Sequence, residues 1–206
     1  MPATTLLITE VTTAPGALDS AAKEWTRLRA DDGTGSVLYR ALDGDTLMEL
    51  TPLADLAGLA AEVELFDRQF AELAPHVAGD FRRQVLRFVE APKSTDDAVP
   101  ATRYVQLRHI EVPPAVFADY RRWREDTIFD VVRHADEVEV FLAYHSLLST
   151  EPGVMFVSGF DTTPERYGAV FTSPRYREIV RQAGSAYIAG GERGLYTTVY
   201  ERVEAR

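Results

Sequence analysis

Histidine is the side chain best suited to moving protons near neutral pH, and this chain has four: His76, His109, His134 and His145. His145 is the leading candidate for a general base. It follows Tyr144 in a stretch that alternates like a strand, with Phe141, Ala143 and His145 on one face and Leu142 and Tyr144 on the other. The alternation leaves open which face lines a pocket. Arg108 could hold a carboxylate, an enolate or a phenolate, or it could pair with a buried acid. Tyr144 could orient a substrate if it faces the same space. The other histidines have structural accounts. His134 sits at a helix C-terminus, where a cation is favoured, and His76 follows Pro75 at a helix break. His109 lies on the opposite strand face from Arg108.

Other chemistries lack their residues. There is no cysteine, hence no thiolate nucleophile, disulfide framework or cysteine metal site. No His-Glu-x-x-His occurs, and the one close histidine–carboxylate pair is His134 with Asp136. Gly190-Gly191-Glu192-Arg193-Gly194 is a helix stop without phosphate-loop spacing. No cofactor is therefore expected from these motifs. The net charge is −10, with arginines scattered among acids, which argues against nucleic acid. No apolar run approaches the roughly 20 residues of a membrane span. Met1-Pro2-Ala3-Thr4-Thr5 has no basic segment before the apolar residues, so a cytoplasmic protein is expected.

The elements that must position these side chains occur twice. Thr5–Val11 reads as a strand, and Leu18, Ala21, Trp25 and Leu28 mark one helix face after Ala14-Pro15-Gly16. Asp31 to Gly35 ends that helix. Strands at 36–41 and 46–50 flank Asp43-Gly44-Asp45, a hairpin signal. A helix from Pro52 to about Ala78, bent near Glu64 and Pro75, precedes a strand at 83–90. After a polar, proline-flanked stretch the order returns: strand 104–112, long helix to about His134, strands 137–147 and 154–160. Helices then start at Thr163-Pro164 and Ser173-Pro174 and lead to a last strand at 194–203. Trp25 and Trp123 match as sheet-facing core residues. Leu38-Tyr39-Arg40 matches Ala143-Tyr144-His145, and Val89-Glu90-Ala91 matches Val203-Glu204-Ala205. The reading is α+β: two tandem ferredoxin-like βαββαβ halves, 1–91 and 103–206, joined by a linker at 92–102. Each half needs a partner for its free sheet face. The second half can supply it within the chain, as a two-in-one barrel with a pocket between the sheets.

Tyr104-Val105-Gln106-Leu107-Arg108-His109-Ile110 is similar to the opening strand of NIPSNAP-like proteins, with Gln106 in the place of a glutamate. Val154 to Asp161 is similar to their third strand. The chain thus resembles the dimeric α/β-barrel superfamily, which includes antibiotic-biosynthesis monooxygenases, polyketide cyclases and haem-degrading enzymes. In that register Gln106, Arg108 and Ile110 share the cavity face, and His109 points toward the helices or the sheet end. The resemblance implies an enzyme of natural-product biosynthesis on an apolar, aromatic or polyketide-like small molecule, of cyclase or cofactor-independent monooxygenase type. His145 would abstract the proton, Arg108 would stabilise the enolate and Tyr144 would orient the substrate. A haem protein with His145 or His109 as axial ligand is one alternative, although the chain has no asparagine for the usual haem-degrading constellation. A non-catalytic ligand-binding module is the other. Assembly with further copies of the chain is compatible with each.

Overall fold

The computed structural model describes residues 1–29 and 35–203. The turn expected over 31–34 and the matched Glu204 and Ala205 lie outside the described residues. The first half comprises β1 (Thr5–Thr12), α1 (Leu18–Arg29), β2 (Val37–Ala41), β3 (Thr46–Leu53), α2 (Gly58–Ala61), α3 (Val63–Leu73) and β4 (Arg82–Lys93). The second comprises β5 (Tyr104–Ile110), α4 (Phe117–Asp126), α5 (Ile128–Arg133), β6 (Val140–Leu148), β7 (Val154–Phe160), α6 (Pro164–Phe171), α7 (Pro174–Ala186) and β8 (Leu195–Arg202).

Among the described residues the strands close into one antiparallel barrel in the order β1-β3-β2-β8-β5-β7-β6-β4, with β4 returning to β1. Each half supplies a ferredoxin-like sheet. The sheets are hydrogen-bonded at two seams, β2 to β8 and β4 to β6, rather than merely facing each other. The β4–β6 seam carries register shifts, which let the second sheet curve into the first.

Both faces of the wall are apolar, for different reasons. Leu6, Ile8, Tyr39, Met48, Leu50, Leu86, Val105, Leu107, Leu142, Tyr144, Met155 and Val157 fill the interior. The intervening residues pack under helices. In the first half Trp25 and Leu28 of α1 meet Val11 and Leu47. In the second, Phe141, Phe156 and Phe160 meet Tyr120, Phe129, Tyr167 and Tyr176. Strands buried on both faces read as continuous apolar runs, and this is why β1 opens Thr-Leu-Leu-Ile.

Two helix starts follow the sequence signals, whereas the helix expected from Pro52 starts only at Gly58, with Pro52 in β3. The Thr163 side chain accepts from Arg166 N and the Ser173 side chain from Tyr176 N, each followed by proline. The long helix expected to reach His134 is instead two, α4 and α5, broken at Thr127. The Thr127 hydroxyl donates to Trp123 O at 2.7 Å, a local bond that competes with regular helix. Trp123 is part-exposed, while Trp25 is fully buried and donates to Glu49 Oε1 at 3.0 Å. The two tryptophans match in place but not in burial.

The stretch between β4 and β5 also differs from its polar appearance. Val99 is buried among the interior residues, Tyr39 donates to Pro100 O at 2.9 Å, and Ala3 N donates to Ala98 O at 2.8 Å. This segment plugs one end of the barrel.

Candidate functional site

The expected site residues do not converge. Arg108 points out of the barrel into the helix layer, donating to the Tyr176 hydroxyl and to Gln106 Oε1 at 3.3 Å. Gln106 and Ile110 share that outer face, so the three residues form one row, as their spacing predicts, but the row faces the helices and not the cavity. His109, expected to face the helices or the sheet end, lies near the sheet end beside Tyr196 and Pro152, in the inward row with Val105 and Leu107. The reversal has a packing cause. β5 is buried on both sides, so its alternation sorts residues into two rows without saying which row the helices cover.

Tyr144 faces the interior, but at the plugged end. It donates to Ala3 O at 3.3 Å and meets the Phe88 ring edge-on at 5.6 Å. Burial pushes its pKa up, so it stays a neutral phenol. His145 faces outward, its ring 5.2 Å from Phe117 and its Nδ1 3.1 Å from Ser146 O. His134 is exposed at the end of α5, with Nδ1 2.8 Å from Asp130 O. His76 shares a hydrogen bond with Ser20 at 3.2 Å. Both match their structural accounts.

The other end of the barrel is open. A cavity of about 370 Å³ enters there, walled by Glu10 and Thr12 of β1, Ala41 of β2 and Asp43 after it, Arg82 of β4, Glu151 of the β6–β7 turn, and Tyr196, Thr198 and Tyr200 of β8. Both halves contribute, and the volume lies in the range of small-molecule sites. Glu10 continues the inward row of Leu6 and Ile8, and it pairs across the sheet with Arg82 and Met48. Tyr200 donates its hydroxyl to Glu10. Arg82 pairs with Glu151, which also accepts from the Tyr196 hydroxyl at 3.2 Å. His109 stacks on Tyr196 at 5.1 Å, with Nε2 3.3 Å from Pro152 O.

Burial in this mouth raises the Glu10 pKa above its usual 4.5, an effect that the Tyr200 hydrogen bond and Arg82 only partly offset. Tyr196 and Tyr200 are likewise pushed up by burial and then by the neighbouring carboxylates. A half-buried carboxylate that holds its proton more tightly than usual, bonded to a neutral phenol, can take and return a proton at an open cavity. Glu10, Asp43, Asp80 and Glu151 oppose the single guanidinium of Arg82, so the mouth favours neutral or cationic molecules over phosphates.

Sequence reasoning passed over Glu10, Arg82, Tyr196 and Tyr200. One signal was available: Glu10 is a carboxylate on a period-two row that is otherwise apolar, Leu6-x-Ile8-x-Glu10. Its partners come from β4 and β8, and no sequence spacing announces them.

No family model matches the sequence, and no curated protein matches it. Solved structures do match in fold. An anthrone oxidase-like protein aligns over 98% of this chain and 92% of its own, with 14% identity and a TM-score of 0.69. A ferredoxin-fold protein from Listeria monocytogenes related to antibiotic biosynthesis monooxygenases aligns over 97% and 96%, with 8% identity and a TM-score of 0.57. A haem-degrading enzyme, also from Listeria monocytogenes, aligns over 96% and 98%, with 10% identity and a TM-score of 0.55. Identities this low speak for the fold and not for the reaction. The chain has the fold of the dimeric α/β-barrel superfamily, with both ferredoxin-like units in one polypeptide.

Proposed function

We propose that this protein is a small-molecule enzyme of proton-transfer type, with its active site at the open barrel mouth and Glu10 as the base. The observation that carries this reading is the Glu10–Tyr200 pair at a cavity of about 370 Å³. The substrate class it suits is an enolisable aromatic or polyketide-like ketone of one to three rings, neutral or cationic because of the surrounding carboxylates. Monooxygenase-type and cyclase-type chemistry share the first step. Glu10 removes the proton next to the carbonyl, and the enolate oxygen accepts from Arg82, the one cation in the wall. In a cyclase the carbanion attacks a second carbonyl of the substrate, and Glu10 returns its proton to the new alkoxide. In a monooxygenase the carbanion takes up dioxygen, and loss of water turns the CH₂ into a carbonyl. Tyr200 holds the carboxylate in place, and Tyr196 supplies an aromatic wall.

Haem-related structures share this fold, and a haem role is the second class to weigh. The two histidines expected as axial ligands do not suit it. His145 lies outside the cavity against Phe117, and His109 is packed between Tyr196 and Pro152 O. Among the described residues, no histidine lines this cavity as an axial ligand.

The test is hydrogen–deuterium exchange at the CH₂ of anthrone in deuterium oxide, followed by NMR, with dioxygen uptake measured in parallel. Exchange should be accelerated by the wild-type protein and lost by about 10²-fold or more in Glu10→Gln. It should persist in His145→Ala. Equal exchange by wild type and Glu10→Gln would remove Glu10 from this role. A Soret band on haem addition that depends on His109 would favour the haem reading instead.

A further inference from the structure

A second feature lies outside the barrel, in the layer between the second sheet and its helices. Arg108 is only 9% exposed and has no carboxylate partner among the described residues. Two other buried arginines are compensated, whereas the part-buried Arg83 bonds the neutral amide of Gln69 and lies over Phe66 and Phe81. Arg29, in the first half, bonds Glu49 at 2.5 Å and Glu62 at 2.9 Å. Arg124 pairs with Glu90. Arg108 has instead a neutral hydroxyl, a neutral amide and the faces of Phe171 and Tyr176, at 4.8 and 5.4 Å. A buried guanidinium without a counter-charge costs several kcal/mol in general.

Arg108 Nε is itself buried without a hydrogen-bond partner. A cavity of about 20 Å³ opens beside Arg108 and Tyr176, walled otherwise by Ile110, Phe156, Ile179 and Leu195. That is room for one atom-sized guest.

We infer that this cleft is a binding site for one halide-sized anion, chloride in ordinary solution, which supplies the counter-charge Arg108 lacks. Excess positive charge, an unpartnered N–H donor on Arg108 and space for a single small guest all point the same way. A neutral water would accept hydrogen bonds but leave the charge uncompensated. A carboxylate or phosphate needs several times the volume. The site is separate from the barrel mouth, because the β5 backbone stands between them.

The experiment compares denaturation midpoints in sodium chloride and sodium gluconate at equal ionic strength. Wild-type protein should show a midpoint that rises with chloride and saturates, as binding to the native state requires. Arg108→Met should abolish the chloride-specific part of that rise. Bromide-soaked crystals of wild-type protein should show an anomalous peak beside Arg108, a readout that needs no variant to fold. Coincident chloride and gluconate curves for wild type, a chloride response retained in Arg108→Met, or no bromide peak in the cleft would each overturn the inference.

Discussion

Arg108 and His109 are neighbours in sequence and stand on opposite sides of the barrel wall. Arg108 donates to Tyr176 in the helix layer, while His109 stacks on Tyr196 near the open mouth. One peptide bond separates a buried cation in an aromatic layer from a ring bordering the candidate active site. Substitutions at the two positions should therefore report on different properties of the molecule.

The Glu10–Tyr200 bond sets the pH at which the base becomes available. The bond favours the carboxylate, so it holds the Glu10 pKa below the value that burial alone would give. Tyr200→Phe should move the acidic limb of the pH–rate profile for anthrone exchange to higher pH. A limb that stays in place would mean that Glu10 is not the group being titrated.

Stability should carry the same signature. With its folded pKa raised, Glu10 binds a proton more tightly in the native state than in the unfolded chain. Its stabilising contribution is complete below the unfolded value and is lost as pH rises through the folded value. Urea denaturation of wild type and Glu10→Gln from pH 4 to 8 should show wild type losing stability relative to the variant as pH rises. A constant difference would contradict the raised pKa.

The two tryptophans should differ in cost. Trp25→Ala empties a fully buried site and removes the indole donor from the buried Glu49, so a loss of about 3–5 kcal/mol is expected. Trp123→Ala removes a part-exposed ring that leans on Tyr187 at 5.2 Å, so about 1–2 kcal/mol is expected. Denaturant melts of the two variants measure the contrast, and equal losses would refute it.

Tyr144→Phe removes one hydrogen bond at the plugged end, to Ala3 O. It should cost about 0.5–1.5 kcal/mol and leave anthrone exchange unchanged. A large loss of exchange in a variant of normal stability would return Tyr144 to the active site.

The sequence by itself determined the order of elements, the duplication and the two proline-marked helix starts of the second half. These are local or periodic properties: alternation in Leu6-x-Ile8, helical spacing in Leu18-Ala21-Trp25-Leu28, and the Thr163-Pro164 and Ser173-Pro174 caps. It also sorted Arg108 from His109 and Tyr144 from His145, because strand alternation has a period of two. Which row faced inward was decided only in three dimensions, since β5 and the first part of β6 are buried on both sides and burial no longer marks the inside. The mouth depended on tertiary structure still more. Glu10, Arg82, Glu151 and Tyr200 come from four chain segments that meet only because β4, β1 and β8 close one barrel and the β6–β7 turn reaches its rim. The shift in the Glu10 pKa arises from that closure, because the burial responsible for it does not exist until the barrel has formed.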